Sequence, residues 1–140
     1  MAALTKVQSF VEALAEKIHN LGSDTLKIML VNSPAPLNTN TQKSDLTEIS
    51  AGNGYSAGGT ALTVTSSAQA SGTYKLIAND VVFTASGGSI GPFRYAVLYN
   101  DTAGNDELIG FWDYGTNITL TNGNTFTVDL DGTNGVISLT

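Results

Sequence analysis

Apolar and polar residues alternate in short runs along most of this chain, and only the N-terminal segment departs from that rhythm. There Val7, Phe10, Val11, Leu14, Ile18 and Leu21 recur at helical spacing, while Gln8, Glu12, Glu16 and Asn20 fall elsewhere. Thr5 and Gln8 have the spacing of a capping box, and Gly22 stands where a left-handed C-cap would. The pattern predicts an amphipathic helix within residues 1–22. Its apolar side either covers its own domain or docks on a partner.

From Thr25 to Val31 the alternation of Leu26, Ile28 and Leu30 predicts a strand, closed by Pro34 and Pro36. After a polar tract the chain becomes a series of short candidate strands: Ala61 to Thr65, Thr73 to Ala78, Val81 to Ala85, and finally Ile137 to Leu139. Turn signals punctuate them about every 8 to 12 residues, which is the rhythm of a sandwich or barrel.

The most apolar pair lies between Gly87 and Tyr114. Phe93, Tyr95, Val97 and Tyr99 share one face, with Ala96 and Leu98 on the other; the return strand sets Leu108, Gly110, Trp112 and Tyr114 against Ile109 and Phe111. Strands apolar on both faces belong in the middle of a sheet. Gly110 leaves room for a neighbouring ring. Beyond this pair, matching Leu120 with Phe126 and Ile118 with Val128 keeps like residues together, which predicts a hairpin with a three-residue Asn122-Gly123-Asn124 turn. The expected fold is mainly β, an antiparallel, jelly-roll-like β-sandwich over residues 23–140 with one N-terminal helix, forming a single domain over 1–140.

The polar tract from residue 32 to residue 59 changes this picture. A loop of that length in a compact domain usually carries function, and Leu37, Leu46, Ile49 and Tyr55 are its apolar anchors. Together with Phe10 and Leu14 of the helix they are the candidate partner-binding residues. Gly52 and Gly54 begin a dinucleotide-like spacing, but Ala57 holds the third glycine position and no strand-turn-helix context surrounds it.

Composition narrows the partners. The chain of 140 residues has 6 Lys plus Arg against 12 Asp plus Glu, a net charge of −6, so it offers no basic patch to phosphates or anionic membranes. With 0 cysteines it has no disulfide framework, thiol nucleophile or thiolate metal site. Lys6, Glu12, Glu16 and Lys17 interrupt the N-terminal apolar residues, which fits neither a signal peptide nor a membrane span.

Candidate chemistry is sparse. His19 is the single histidine, in the last turn of the expected helix, where a cation suits the dipole, and no serine lies in a nucleophile-elbow pattern. Asp101, Asp106, Glu107 and Asp113 cluster near a turn, where carboxylates are usually solvated. No set of nucleophile, base and oxyanion donor emerges, so no enzyme and no cofactor is expected. Asp129, Asp131 and Asn134 place oxygens as a calcium loop would, yet without a distal Glu, so an Asx-stabilised turn competes with a cation site. Tyr55, Tyr74, Tyr99, Trp112 and Tyr114 are either core or a sugar-stacking platform.

The blocks DTLKIMLVNSPAP, DLTEISAGNGYSAGG, ASGGSIGPFRYAVLYND, LIGFWDYG and ITLTNGNTFTVDL, in this order, resemble a family of small virion structural proteins of tailed bacteriophages. The resemblance runs over nearly the whole chain and brings no catalytic residues with it. It implies a part in building the particle: a capsid decoration or cement protein, made in the host cytoplasm and held on the capsid exterior. Its partners would be the major capsid protein and its own copies, as a dimer or trimer. A tail or fibre module, or a head-tail joining protein, that binds a host glycan or another virion part is the other class the resemblance leaves open.

Overall fold

The computed structural model describes residues 3–140, and the first two residues of the expected helical segment lie outside them. In chain order the elements are β1 (Thr5–Lys6), α1 (Phe10–Ala15), β2 (Leu26–Val31), β3 (Thr60–Ala61), β4 (Val64–Ala70), β5 (Thr73–Ala78), β6 (Val81–Thr84), β7 (Ile90–Asn100), β8 (Leu108–Leu120), β9 (Thr125–Val128) and β10 (Ile137–Leu139). The strands form sheets ordered β1-β8-β7-β2-β3, β10-β5-β4 and β6-β9. All the pairings are antiparallel, and one continuous core joins residues from Val7 to Ile137, so the fold is an antiparallel β-sandwich with one short N-terminal helix.

Strand β7 lies at the centre of the largest sheet, between β2 and β8. Val97 stands opposite Met29 on one side and Phe111 on the other; Ala96 stands opposite Leu30 and Trp112. Residues Tyr95 to Asn100 are all buried, as are Leu108, Ile109 and Trp112, which is what two-faced apolar strands require. Residues Ile28 to Val31 are likewise buried at every position.

Four expectations are corrected. The helix is six residues long, and Thr5 and Lys6 do not cap it but pair with Phe111 and Gly110 at the edge of β8. Lys17 takes φ 69°, ending the helix well before Gly22. Val7, Phe10, Ala13 and Leu21 are buried, while Val11 and Ile18 are 52% and 41% exposed. An open β8 edge takes up the backbone of residues 5 and 6 more effectively than a marginal helix can.

The position of Gly110 is occupied by that same strand and by no ring: a Cβ there would lie 2.7 Å from Thr5 O and 2.8 Å from Leu4 Cδ1. The expected hairpin between residues 118–120 and 126–128 is absent. Leu120 pairs with Ile90 and Ile118 with Phe93, while Phe126 pairs with Phe83 and Val128 with Val81. Asn124 N donates to Thr121 O at 3.0 Å, so the turn forms, with Gly123 at φ 86° in the left-handed position. It carries the chain from one sheet to another, and parity of apolar faces is kept by different partners. Finally, β4 is a full strand although its VTSSAQA sequence is almost wholly polar or small. Ser71 and Gly72, both at positive φ, close it onto β5 in a two-residue turn.

Candidate functional site

The 32–59 segment is ordered by backbone bonds to its neighbours. Ile49 N donates to Leu30 O at 3.0 Å, Lys43 N to Asp106 O at 3.0 Å, and Leu108 N to Thr41 O at 3.0 Å. A short 3-10 turn, Lys43–Asp45, sits at its middle. The Asp45 carboxylate accepts from the backbone N–H groups of Thr41 and Gln42, and these bonds hold its pKa below the ordinary 3.8.

Beneath the loop, Tyr55 is buried at 3% exposure. Its hydroxyl donates to Glu48 Oε2 at 2.5 Å and accepts from Leu30 N at 3.0 Å. The same Glu48 oxygen accepts from Gly58 N at 2.7 Å, and Tyr99 Oη donates to Gly58 O at 2.6 Å. Burial, with Glu48 alongside, pushes the Tyr55 phenol far above its ordinary 10.0, and burial likewise raises that of Tyr99.

This arrangement separates the candidate partner-binding residues. Phe10 and Tyr55, at 1% and 3% exposure, are core residues and present no surface to a partner, a correction that follows from their place under the helix and the loop. Leu14, Leu46 and Ile49 are half-buried and pack on the core. Leu37 is 57% exposed. Leu37 N donates to Asn40 Oδ1 at 2.6 Å, and Gln8 N donates to Asn38 O at 2.8 Å, which ties the Leu37 tip to the start of α1, the helix that carries exposed Val11. Two exposed apolar side chains thus lie on segments joined by the Gln8–Asn38 hydrogen bond. The sequence pattern alone did not join them, since each was assigned to a different element.

The remaining candidates are absorbed by the fold. Asp131 Oδ1 accepts from Thr133 N and Asn134 N, both at 2.8 Å, and Asn134 Nδ2 donates to Asp131 Oδ2 at 2.9 Å. These bonds lower the Asp131 pKa and make the segment an Asx-stabilised turn, with Asn134 turned to donate where a cation would need an acceptor. Asp129 is exposed, and no group of three or more His, Cys, Asp or Glu suited to a metal occurs among the described residues.

Asp113 is clasped by Arg94 through Nε at 2.8 Å and Nη2 at 3.0 Å, and Asp101 lies 3.2 Å from Lys27 Nζ. Trp112, Tyr55 and Tyr99 are buried, while half-buried Tyr114 meets Phe126 edge-on at 4.9 Å, its phenol pushed up to about 12 chiefly by burial. The rings do not make a flat sugar-stacking platform.

His19 differs from its expected setting. It is 4% exposed, with its ring 5.5 Å from that of Phe10; Nδ1 lies 3.0 Å from Asn100 Nδ2, and Nε2 has no partner. Desolvation lowers its pKa, outweighing the pull of Glu107 and Asp24. The polar pair His19–Asn20 set between apolar Ile18 and Leu21 was the only sequence signal for this burial.

No family model, curated protein or solved structure matches this chain. No helix among the described residues is long and apolar enough to cross a membrane.

Proposed function

We propose that this chain is a virion structural protein of a tailed bacteriophage, a decoration or cement protein that binds the outside of the capsid shell at junctions between major capsid subunits. The reading rests on the sequence resemblance, and the observation that carries it into geometry is the pair Leu37 and Val11, 57% and 52% exposed, on segments joined by a backbone hydrogen bond. A stiff tip loses little conformational entropy when it docks, so exposed apolar side chains there add to affinity with little offset. The net charge of −6 favours the outer face over one that touches packaged DNA. Binding only the expanded shell stabilises it by mass action.

The experiment is co-sedimentation with empty expanded capsids: saturable binding is expected, and a protein that stays in the supernatant at every ratio sinks the assignment. Calorimetric glycan binding in its place would favour the tail or fibre reading. Trp112, at 4% exposure, is a poor fluorescent reporter for that purpose.

A further inference from the structure

The edges of the sheets differ in how well they are protected. In the largest sheet the edge strands β1 and β3 have two residues each, and β10, one edge of the three-stranded sheet, has three. Such short edges offer little to an incoming strand, and the part of β8 that β1 leaves open is interrupted by Gly115 at φ 82° and carries the charged Asp113. The other edge of that sheet is β4, seven residues long, exposed from Ser67 to Ala70, with no Pro and no charged residue.

Its outward hydrogen-bonding groups follow from the turn. A two-residue loop makes Ala70 and Thr73 a hydrogen-bonded pair, so Ala68–Lys75 and Ser66–Ile77 are bonded too. Ser67 and Gln69 between them aim N–H and C=O away from β5, and among the described residues no backbone group meets them there. Ser66, Ala68, Ala70, Thr73, Lys75 and Ile77 line an open groove of about 510 Å³ on the face beside this edge.

We propose that β4 is a self-pairing edge: two copies of this chain join antiparallel through it, Ser67 of each opposite Gln69 of the other and Ala68 facing its own copy on the two-fold axis. Charge selects the occupant. A chain of net charge −6 repels itself, yet no charged residue occurs between Glu48 and Lys75, the tract that contains β4. The register uses the regular part of the strand and avoids the irregularity between Val64 and Ser66. Each Ser67–Gln69 pair exchanges two backbone hydrogen bonds, and the three-stranded sheet is continued into its copy. The inference does not depend on the virion assignment.

The absence of cysteine makes a crosslink test clean. At the axis Ala68 and its copy form a non-hydrogen-bonded pair with Cα atoms about 4.5 Å apart, within disulfide reach. Ala68→Cys is expected to give a disulfide-linked dimer on mild oxidation, far faster than Ala35→Cys, an exposed control on the 32–59 loop. In sedimentation the wild-type chain should show concentration-dependent dimers. Ser67→Pro removes an outward N–H but leaves the β4–β5 ladder whole, so it should yield monomers with unchanged circular dichroism, whereas Ser67→Ala keeps the dimer. Ala68→Lys, which opposes two like charges, should also yield monomers.

A wild-type chain that is monomeric at every concentration, with Ala68→Cys no faster than the control, overturns the proposal.

Discussion

Tyr55 and Glu48 hold the 32–59 loop to the central sheet: the phenol donates to Glu48 Oε2 at 2.5 Å while accepting from the backbone N–H of Leu30, near the end of β2, at 3.0 Å. The contact fixes a carboxylate that also receives Gly58 N, so one tyrosine hydroxyl orders both ends of the loop's second half. Tyr55→Phe keeps the ring against Phe83, 5.8 Å between centroids, but leaves the buried Leu30 N–H and Glu48 Oε2 each short of a partner. The expected loss is about 1–3 kcal/mol by urea denaturation. Amide exchange should quicken at Ile49 and Gly58. A variant as stable as the wild type would show that the hydroxyl's bonds contribute no net stability.

Gly110→Ala tests the N-terminal strand. The added Cβ would sit 2.7 Å from Thr5 O, a backbone atom that moves only if β1 leaves the sheet. Overpacking of this kind costs about 1–3 kcal/mol. Limited proteolysis should then cut within the first residues of a domain that is otherwise intact. Unchanged protease resistance would show that the pairing of β1 with β8 does not require a glycine at position 110.

How much of this was legible in the sequence depends on whether the signal was local. The two-faced apolar runs of β2, β7 and β8 announced their central place, because burial on both faces leaves no other composition open to them. Strand β4 gave no such signal: an edge strand exposed at most positions needs no apolar alternation, and only its pairing with β5 defines it. The helix was overread because Thr5 and Lys6 find partners more than a hundred residues away, in Phe111 and Gly110. Parity arguments correctly grouped Ile118, Leu120, Phe126 and Val128 as inward-facing but could not tell which strands they would meet, since β7 and β6 offer equally apolar partners. Of the candidate site, Leu37 was identified as an anchor and proves to be the exposed one. Tyr55 and Phe10 read as surface candidates only because loop and helix faces look alike before their cover is known.

The exposed pair Leu37 and Val11 makes a prediction that separates binding from folding. Both side chains are more than half exposed, so Leu37→Asp and Val11→Asp should leave the urea midpoint nearly unchanged, within about 0.5 kcal/mol. An added carboxylate in a docked apolar contact is costly to desolvate. Co-sedimentation with expanded capsids should weaken at least tenfold for the double variant. Full binding by a folded double variant would move the contact surface elsewhere on the molecule.

The pH dependence of stability isolates His19, because it is the only histidine in the chain. Its folded-state pKa lies below the ordinary 6.5, with desolvation the leading cause and Glu107 and Asp24 opposing it. Just below pH 6.5 the unfolded chain therefore takes up a proton that the folded chain refuses, and linkage makes stability fall as pH falls. The contribution is complete above the unfolded value and is lost down to the folded one, where the slope flattens. A second decline belongs to Asp45, Asp113 and Asp131, all held below 3.8 by the hydrogen bonds they accept, and it begins only when the unfolded carboxylates start to protonate near that value. Thermal melts across neutral and acid pH should thus show stability beginning to fall just below pH 6.5 and falling further near 3.8. His19→Gln, though less stable at neutral pH for want of the ring beside Phe10, should lose the upper descent and keep the lower one. If the upper descent survives in that variant, groups other than the imidazole produce it, and His19 is not the residue that links folding to mild acid.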